Sequence, residues 1–224
     1  METPTRILST KVLLSHQKQA LLDIGLEVLE FDFIQVEVKN IELKGIKDNL
    51  IFTSQNAVQS ILNQPNGVTL KTKKVFCVGM KTKTLLEENG FEVVAYTDYA
   101  EDLSKIISLI YNKDNFTFFS GNLRRELLPK TLTKNGIVFN EIQVYETKLT
   151  PKKIAQKLDG ILFFSPSAVE SYLELNTIKN EICFCIGKTT SETLENKHIK
   201  NIIIANQPTV ENVITEVEEY YQAP

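Results

Sequence analysis

Short runs of Val, Ile, Leu and Phe recur along the chain with little polar alternation, and each breaks into a turn containing Ser, Thr or Gly. Helical spacing follows the turns, as with Ala57, Val58, Ile61 and Leu62 in "FTSQNAVQSIL". Such unbroken runs suit strands buried on both faces of a parallel sheet, because a half-exposed strand would alternate. Gly25, Gly90 and Gly136 stand where helical patterns stop, the place where a left-handed cap costs a glycine least. Strands alternating with helices predict a parallel α/β architecture with right-handed crossovers.

The pattern occurs twice. "FTSQNAVQSIL" matches "FFSPSAVESYL", with Ser54, Ala57 and Val58 opposite Ser165, Ala168 and Val169. "FCVGMKTKTLLEENG" matches "FCIGKTTSETLENKH", with Gly79 and Thr82 opposite Gly187 and Thr190, and Glu101 then falls opposite Glu211. Ser9 stands opposite Ser120 and Gly25 opposite Gly136, at the separation that also relates Ser54 to Ser165. Four stations in one order indicate an internal duplication, and hence two sheets of about four or five strands each. The longer segments "LEVLEFDFIQVEVKN" and "IVFNEIQVYETKLTP" follow the first strand–helix unit of each copy. Either could carry the chain between copies, a crossing that the repeat leaves open.

Composition narrows the class without naming a function. With 42% apolar and 24% charged residues, the 224-residue chain reads as an ordinary globular protein. No apolar run approaches the roughly 18 residues of a membrane span, and the opening "METPTRILSTK" lacks a signal peptide's apolar stretch, so a cytoplasmic address is expected. A formal charge of −3 with scattered basic residues gives no footprint for nucleic acid. Cys77, Cys183 and Cys185 lie inside apolar runs and read as buried small hydrophobes. His16 and His198 sit in polar surroundings and read as surface residues. The tail "EVEEYY" reads as the solvated face of a last helix.

In open parallel sheets ligands bind beyond the carboxyl ends of the strands, where helix N-termini point. Ser54 and Ser165 are predicted N-caps, Pro166 fits the first helical position, and Thr189 with Glu192 has capping-box spacing. These hydroxyls either simply start helices or stand beside amides that hold anions, each helix end contributing about 0.3–1 kcal/mol. Neither "VGMKT" nor "IGKTT" has phosphate-loop spacing, and "FFSPS" is not a nucleophile elbow. Without dedicated nucleophiles or metal ligands, any catalysis would rest on holding a reactive substrate in one conformation.

The stretches "ILSTK" with Gln19 and Gly25, "FTSQNAV", "CVGMKT" with "NGFEV", "FFSGNLRRELL" with "VYET", "FFSPSAVESYL", "CIGKTT" and "ANQPTVENVI" together give the chain a family likeness. In that order and spacing it resembles the uroporphyrinogen-III synthase family along nearly its full length. The resemblance implies two similar α/β lobes, each a parallel sheet flanked by helices, joined by two crossing extended segments. One lobe would hold residues 1–36 and 149–224, the other residues 37–148. It implies cyclisation of hydroxymethylbilane, a small polycarboxylate substrate, to uroporphyrinogen III with loss of water and inversion of the last pyrrole ring. It also implies no metal or cofactor. The residues themselves suggest no nucleic-acid or membrane partner, and with neither a coiled coil nor a long exposed apolar stripe to demand a second copy, a monomer is expected.

The resemblance further implies an interlobe cleft with Thr53, Ser54, Asn56, Thr82, Gly121, Arg124, Ser165, Ser167, Thr189 and Thr190 binding substrate. Tyr145 would assist departure of the substrate hydroxyl; otherwise it is an amphipathic strand residue, and Arg124 a solvated helix residue. Lys11 stands where many relatives carry Arg, and Lys83 and Ser191 where many carry Ala. A noncatalytic two-lobed sensor of small molecules is the competing reading, and a nucleotide-binding regulator a third.

Overall fold

The computed structural model describes residues 4–222, which divide into two compact units. The first unit opens with β1 (Arg6–Ser9), α1 (Ser15–Asp23) and β2 (Glu27–Glu30), and β3 (Ile34–Val38) leads into the second. The second unit continues with β4 (Asn49–Phe52), α2 (Gln55–Leu62), β5 (Lys74–Val78), α3 (Met80–Glu88), β6 (Glu92–Thr97), α4 (Ala100–Ile110), β7 (Asn115–Gly121) and α5 (Leu127–Lys134). The long strand β8 (Val138–Leu149) leads back. The first unit then closes with β9 (Gly160–Phe163), α6 (Pro166–Leu175), β10 (Ile182–Cys185), α7 (Lys188–Glu195), β11 (Ile202–Ile204) and α8 (Val210–Gln222).

The duplication reappears as sheet order. The first unit's sheet runs β11-β10-β9-β1-β2, and the second's runs β6-β5-β4-β7-β8 with β3 added outside β8. Each repeated pair of neighbouring strands is parallel. Lys39 N–H donates to Val144 O at 2.9 Å, and Thr150 N–H to Phe33 O at 2.9 Å. As one strand ascends its partner descends, so β3 and β8 run antiparallel. The second sheet therefore has six strands, one more than the repeat predicts, because an extended linker finds backbone partners there.

Successive strand residues serve opposite faces, as a pleat requires. Leu50 and Phe52 pack with Ala57, Val58 and Ile61 of α2 and Leu86 of α3. Ile51 packs with Leu103 and Ile107 of α4 and Leu128 and Leu132 of α5. In the first unit Leu8, Ile161 and Phe163 meet α6 and α7, while Ile7, Leu162 and Phe184 meet α1 and α8. Both sheets are thus covered on both faces, which is why their sequences lack polar alternation.

Gly25, Gly90 and Gly136 end α1, α3 and α5 at φ of 82°, 80° and 70°, the left-handed region expected of them. Cys77, Cys183 and Cys185 are fully buried; burial pushes the Cys77 and Cys183 thiols up to about 12 and raises Cys185 as well. His16 and His198 are exposed. The first linker segment comprises two strands, with a break between β2 and β3 where the Asp32 carboxylate accepts from Val12 N–H at 2.9 Å. The expectation for the last helix needs a correction. The final helix is not solvated along all of "EVEEYY", since Tyr221 packs on Phe184 with ring centroids 6.1 Å apart.

Candidate active site

In the second unit the chain moves outward from β4 to β5 and β6 on one side, and from β7 to β8 on the other. The carboxyl ends of β4 and β7 therefore flank a topological switch point, where a crevice opens for ligands. Thr53 follows β4, and Ser54 caps α2 with its Oγ accepting from Ala57 N–H at 3.2 Å. The amides of Gln55 and Asn56, in the first helical turn, have no intrahelical acceptor.

Tyr145 approaches the same point from β8. Its Oη lies 3.1 Å from Ser54 Oγ, with either hydroxyl able to donate. Tyr145 pairs with Gly121 at a register irregularity between Ser120 and Gly121. A Cβ on Gly121 would fall 2.7 Å from Tyr145 Oη and nearer still to ring carbons. Only glycine lets this ring rest on the strand backbone.

The turn after β7 is tied down on both sides of that contact. Arg124 N–H donates to Gly121 O at 3.2 Å. The Asn122 amide group accepts from Thr147 N–H at 2.7 Å and donates to Thr147 O at 3.1 Å. Arg124 donates through Nε and Nη2 to the two oxygens of Glu141 at 2.7 and 3.1 Å, and also pairs with Glu126. Ser120 Oγ donates to the same Glu141 at 2.6 Å. Partial burial pushes the Glu141 carboxyl upward, but the Arg124 and Ser120 hydrogen bonds outweigh it and hold the carboxyl below its ordinary range. The hydrogen bonds that Arg124 donates to Glu141 and Glu126 raise its guanidinium further above its ordinary value. Arg124 precedes α5 in a turn, so it is not a helix residue, and its charge is already matched within the unit.

Thr82 is buried in the first turn of α3, beyond the Gly79 cap at φ 88°. A shallow pocket of about 260 Å³ lies beside the starts of α2 and α3, lined by Gln55, Met80 and Lys81 among others. In this unit, then, Ser54 and Gly121 both meet Tyr145, and Thr53, Asn56 and Arg124 lie within a few residues of them along the chain. Glu141, Ser120 and Asn122 were missed by sequence reasoning. Arg124 and Glu141 are 17 positions apart, a spacing with no local meaning.

The first unit presents the matching edge. Ser165 caps α6, its Oγ accepting from Ala168 N–H at 3.1 Å and lying 3.0 Å from Ser167 Oγ, with Pro166 at the first helical position. Thr189 does not cap α7. The cap is Gly187, and Thr189 is already helical, its carbonyl accepting from Thr193 Oγ1 at 3.0 Å. Thr190 is buried with no hydrogen-bond partner for Oγ1. Lys11 lies over the Phe164 ring at 5.8 Å, Lys83 over the Tyr96 ring at 5.3 Å, and Ser191 Oγ donates to Lys188 O at 2.9 Å. A larger cavity, about 390 Å³, opens at the amino ends of β9 and β10, lined by Lys157, Asp159, Lys179, Glu181, Tyr220 and Tyr221 among others. It holds none of the predicted site residues. Among the described residues no His, Cys, Asp and Glu group is arranged to hold a metal ion.

Comparison with known proteins agrees with this architecture. A curated uroporphyrinogen-III synthase of Saccharomyces cerevisiae is 22% identical over 207 residues, covering 76% of this chain and 75% of its own. The solved uroporphyrinogen-III synthetase of Helicobacter pylori superposes with a TM-score of 0.72 at 21% identity, covering 96% of this chain and 99% of its own. A mutant uroporphyrinogen III synthase of Thermus thermophilus gives 0.71 at 15% identity, covering 98% and 100%. These two structures are similar in fold. The sequence profile of the family described as "Uroporphyrinogen-III synthase HemD" matches residues 15–215, and the chain belongs to that family.

Proposed function

We propose that this chain closes linear hydroxymethylbilane to uroporphyrinogen III, with Tyr145 as the proton donor. The observation that carries the reading is the Tyr145 hydroxyl, held 3.1 Å from the Ser54 cap at the carboxyl edge of the second sheet. The substituted carbon of the last pyrrole attacks the first-ring methylene as its hydroxyl leaves, taking a proton from Tyr145 to depart as water. The spiro intermediate reopens and recloses with the last ring inverted, and the proton released on rearomatisation restores the phenol. Because the free bilane closes without inversion, the protein's work is to hold one conformer.

Carboxylate arms suit the edges. The uncommitted amides of Gln55 and Asn56 beside Ser54, with Thr53 and Thr82 nearby, offer donors on one unit. Ser165, Ser167, Thr189 and Thr190 at the starts of α6 and α7 do so on the other. Arg124 would take a carboxylate only by exchanging it for Glu141 or Glu126. We also propose a monomer acting in the cytoplasm without metal or cofactor. Light scattering that returns a dimer mass, or activity lost on chelation, would remove those parts.

The deciding assay supplies fresh hydroxymethylbilane and resolves the product isomers. The type III isomer is expected, formed faster than spontaneous closure. Type I product alone, at the spontaneous rate, would leave the noncatalytic sensor as the better reading.

A further inference from the structure

The phenol of Tyr145 is held by more than its own strand. Its ring occupies the space where a Gly121 side chain would be, and its hydroxyl meets Ser54. Ser54 Oγ already accepts the Ala57 amide. If Tyr145 also donated to Ser54, the serine would accept twice, its own proton would go unused, and the phenolic proton would be spent. The opposite sense satisfies all three groups: Ser54 accepts from Ala57, donates to Tyr145 Oη, and leaves the phenolic proton free. The glycine cannot retreat to make room for a side chain. Asn122 is clasped to Thr147 on one side of the contact, and Ser120 and Arg124 to Glu141 on the other.

We propose that Gly121 and Ser54 are positioning residues for Tyr145: the missing Gly121 side chain seats the ring, and the Ser54 hydroxyl turns the phenolic proton toward substrate. This deepens the reading of Tyr145 as proton donor and rests on it. Gly121 then acts through the tyrosine rather than by touching the bilane.

The experiment compares kcat and KM for hydroxymethylbilane in Gly121→Ala, Tyr145→Phe and the double variant, with folding followed by circular dichroism. Gly121→Ala is expected to lower kcat about as far as Tyr145→Phe, with KM within about two-fold of the parent. The double variant should be no slower than Tyr145→Phe alone. A raised KM with multiplying effects would make Gly121 a substrate contact and overturn the proposal. Should Gly121→Ala fail to fold, the serine decides: Ser54→Ala should lower kcat and Ser54→Thr, which keeps hydroxyl and cap, should restore it. Equal losses in both serine variants would overturn the hydroxyl's role.

A second readout does not depend on turnover. With 3-fluorotyrosine incorporated, the Tyr145 fluorine resonance is the one lost in Tyr145→Phe. It should shift in Gly121→Ala and in Ser54→Ala, and an unmoved resonance would overturn the seat. If Tyr145→Phe turns over at the parental rate, the proton-donor reading fails while the resonance still decides whether the seat exists.

Discussion

The two units share a plan and differ at one strand pair. Both carry the same backbone irregularity where their edge pair leaves the sheet. In the first unit Phe31 N–H bonds Ser9 O and Phe33 N–H bonds Thr10 O; in the second, Ser120 pairs with Gln143 and Gly121 with Tyr145. The heights differ. Ser9 faces Leu162, whereas in the second unit Phe118 already faces Ile51, so its irregularity at Ser120 comes later along the strand. The β7–β8 pair therefore projects further past its central strand, far enough to bring a side chain from β8 to the cap of α2. The chemistry at the irregularity diverges too. Thr10 is buried and donates through Oγ1 to Leu162 O at 2.7 Å, and Asp32 across from it accepts from Val12 N–H. Gly121 and Tyr145 replace this closed arrangement with an aromatic hydroxyl set on bare backbone. The repeated plan supplies the scaffold, and a longer-reaching strand pair with glycine at its irregularity supplies the candidate acid.

The shared scaffold is tested first, where the largest effect is expected. Phe52 and Phe163 end the central strands β4 and β9 and are both fully buried. Replacing either by Ala should cost about 3–5 kcal/mol in urea unfolding, the range for buried aromatic truncation. Similar losses would show equivalent packing; a cost under about 1 kcal/mol at one site would show that the plan is not shared in energy. The divergent position comes next. Tyr145→Phe should reduce kcat on the order of 10²-fold, about 2.7 kcal/mol of barrier, with an unchanged melting temperature. Asp32→Asn, across from the corresponding irregularity, should keep kcat in the parental order of magnitude. Equal losses at the two positions would erase the functional asymmetry.

Much of the shared plan was legible in the chain. Unbroken apolar runs announced doubly covered strands, and the paired Ser54 and Ser165 announced matching helix starts, because caps and burial are local requirements. The height of the second edge pair was not legible. Matching Ser9 with Ser120 finds the irregularity in both units, but which residue faces the central strand is fixed by hydrogen bonds between distant segments. The same holds for Ser54 and Tyr145, 91 positions apart, and for the internal pairing that commits Arg124. The Thr189 cap failed for a local reason: Gly187 begins the helix two residues before the hydroxyl.

Cap energies sharpen the comparison at smaller scale. Ser54→Ala and Ser165→Ala should each lose about 1 kcal/mol of unfolding free energy, since each hydroxyl accepts one amide of its helix. A much larger loss at Ser54 would mean that its contact with Tyr145 also holds the fold, and denaturant midpoints of the two single variants decide it.

The smallest effect concerns the carboxylates that anchor each edge turn. Glu30 accepts from Lys18 Nζ at 2.8 Å and from Leu13 N–H at 3.1 Å, and its carboxyl is lowered from 4.5 chiefly by the Lys18 hydrogen bond. A carboxyl with a depressed folded-state pKa stabilises the fold above its unfolded value and loses that contribution as pH falls through the folded one. Glu30 therefore supports the first unit at neutral pH and ceases to do so as pH drops below about 4.5. Glu30→Gln should cost about 0.5 kcal/mol at neutral pH, because the ion pair is partly exposed. In acid, where the parent's carboxyl is also uncharged, the difference should shrink toward zero. Glu141, lowered likewise, predicts the same convergence for Glu141→Gln in the second unit. Urea midpoints that stay equally separated for parent and variant across that pH range would show that these carboxylates act through packing, and that the turns they hold owe nothing to charge.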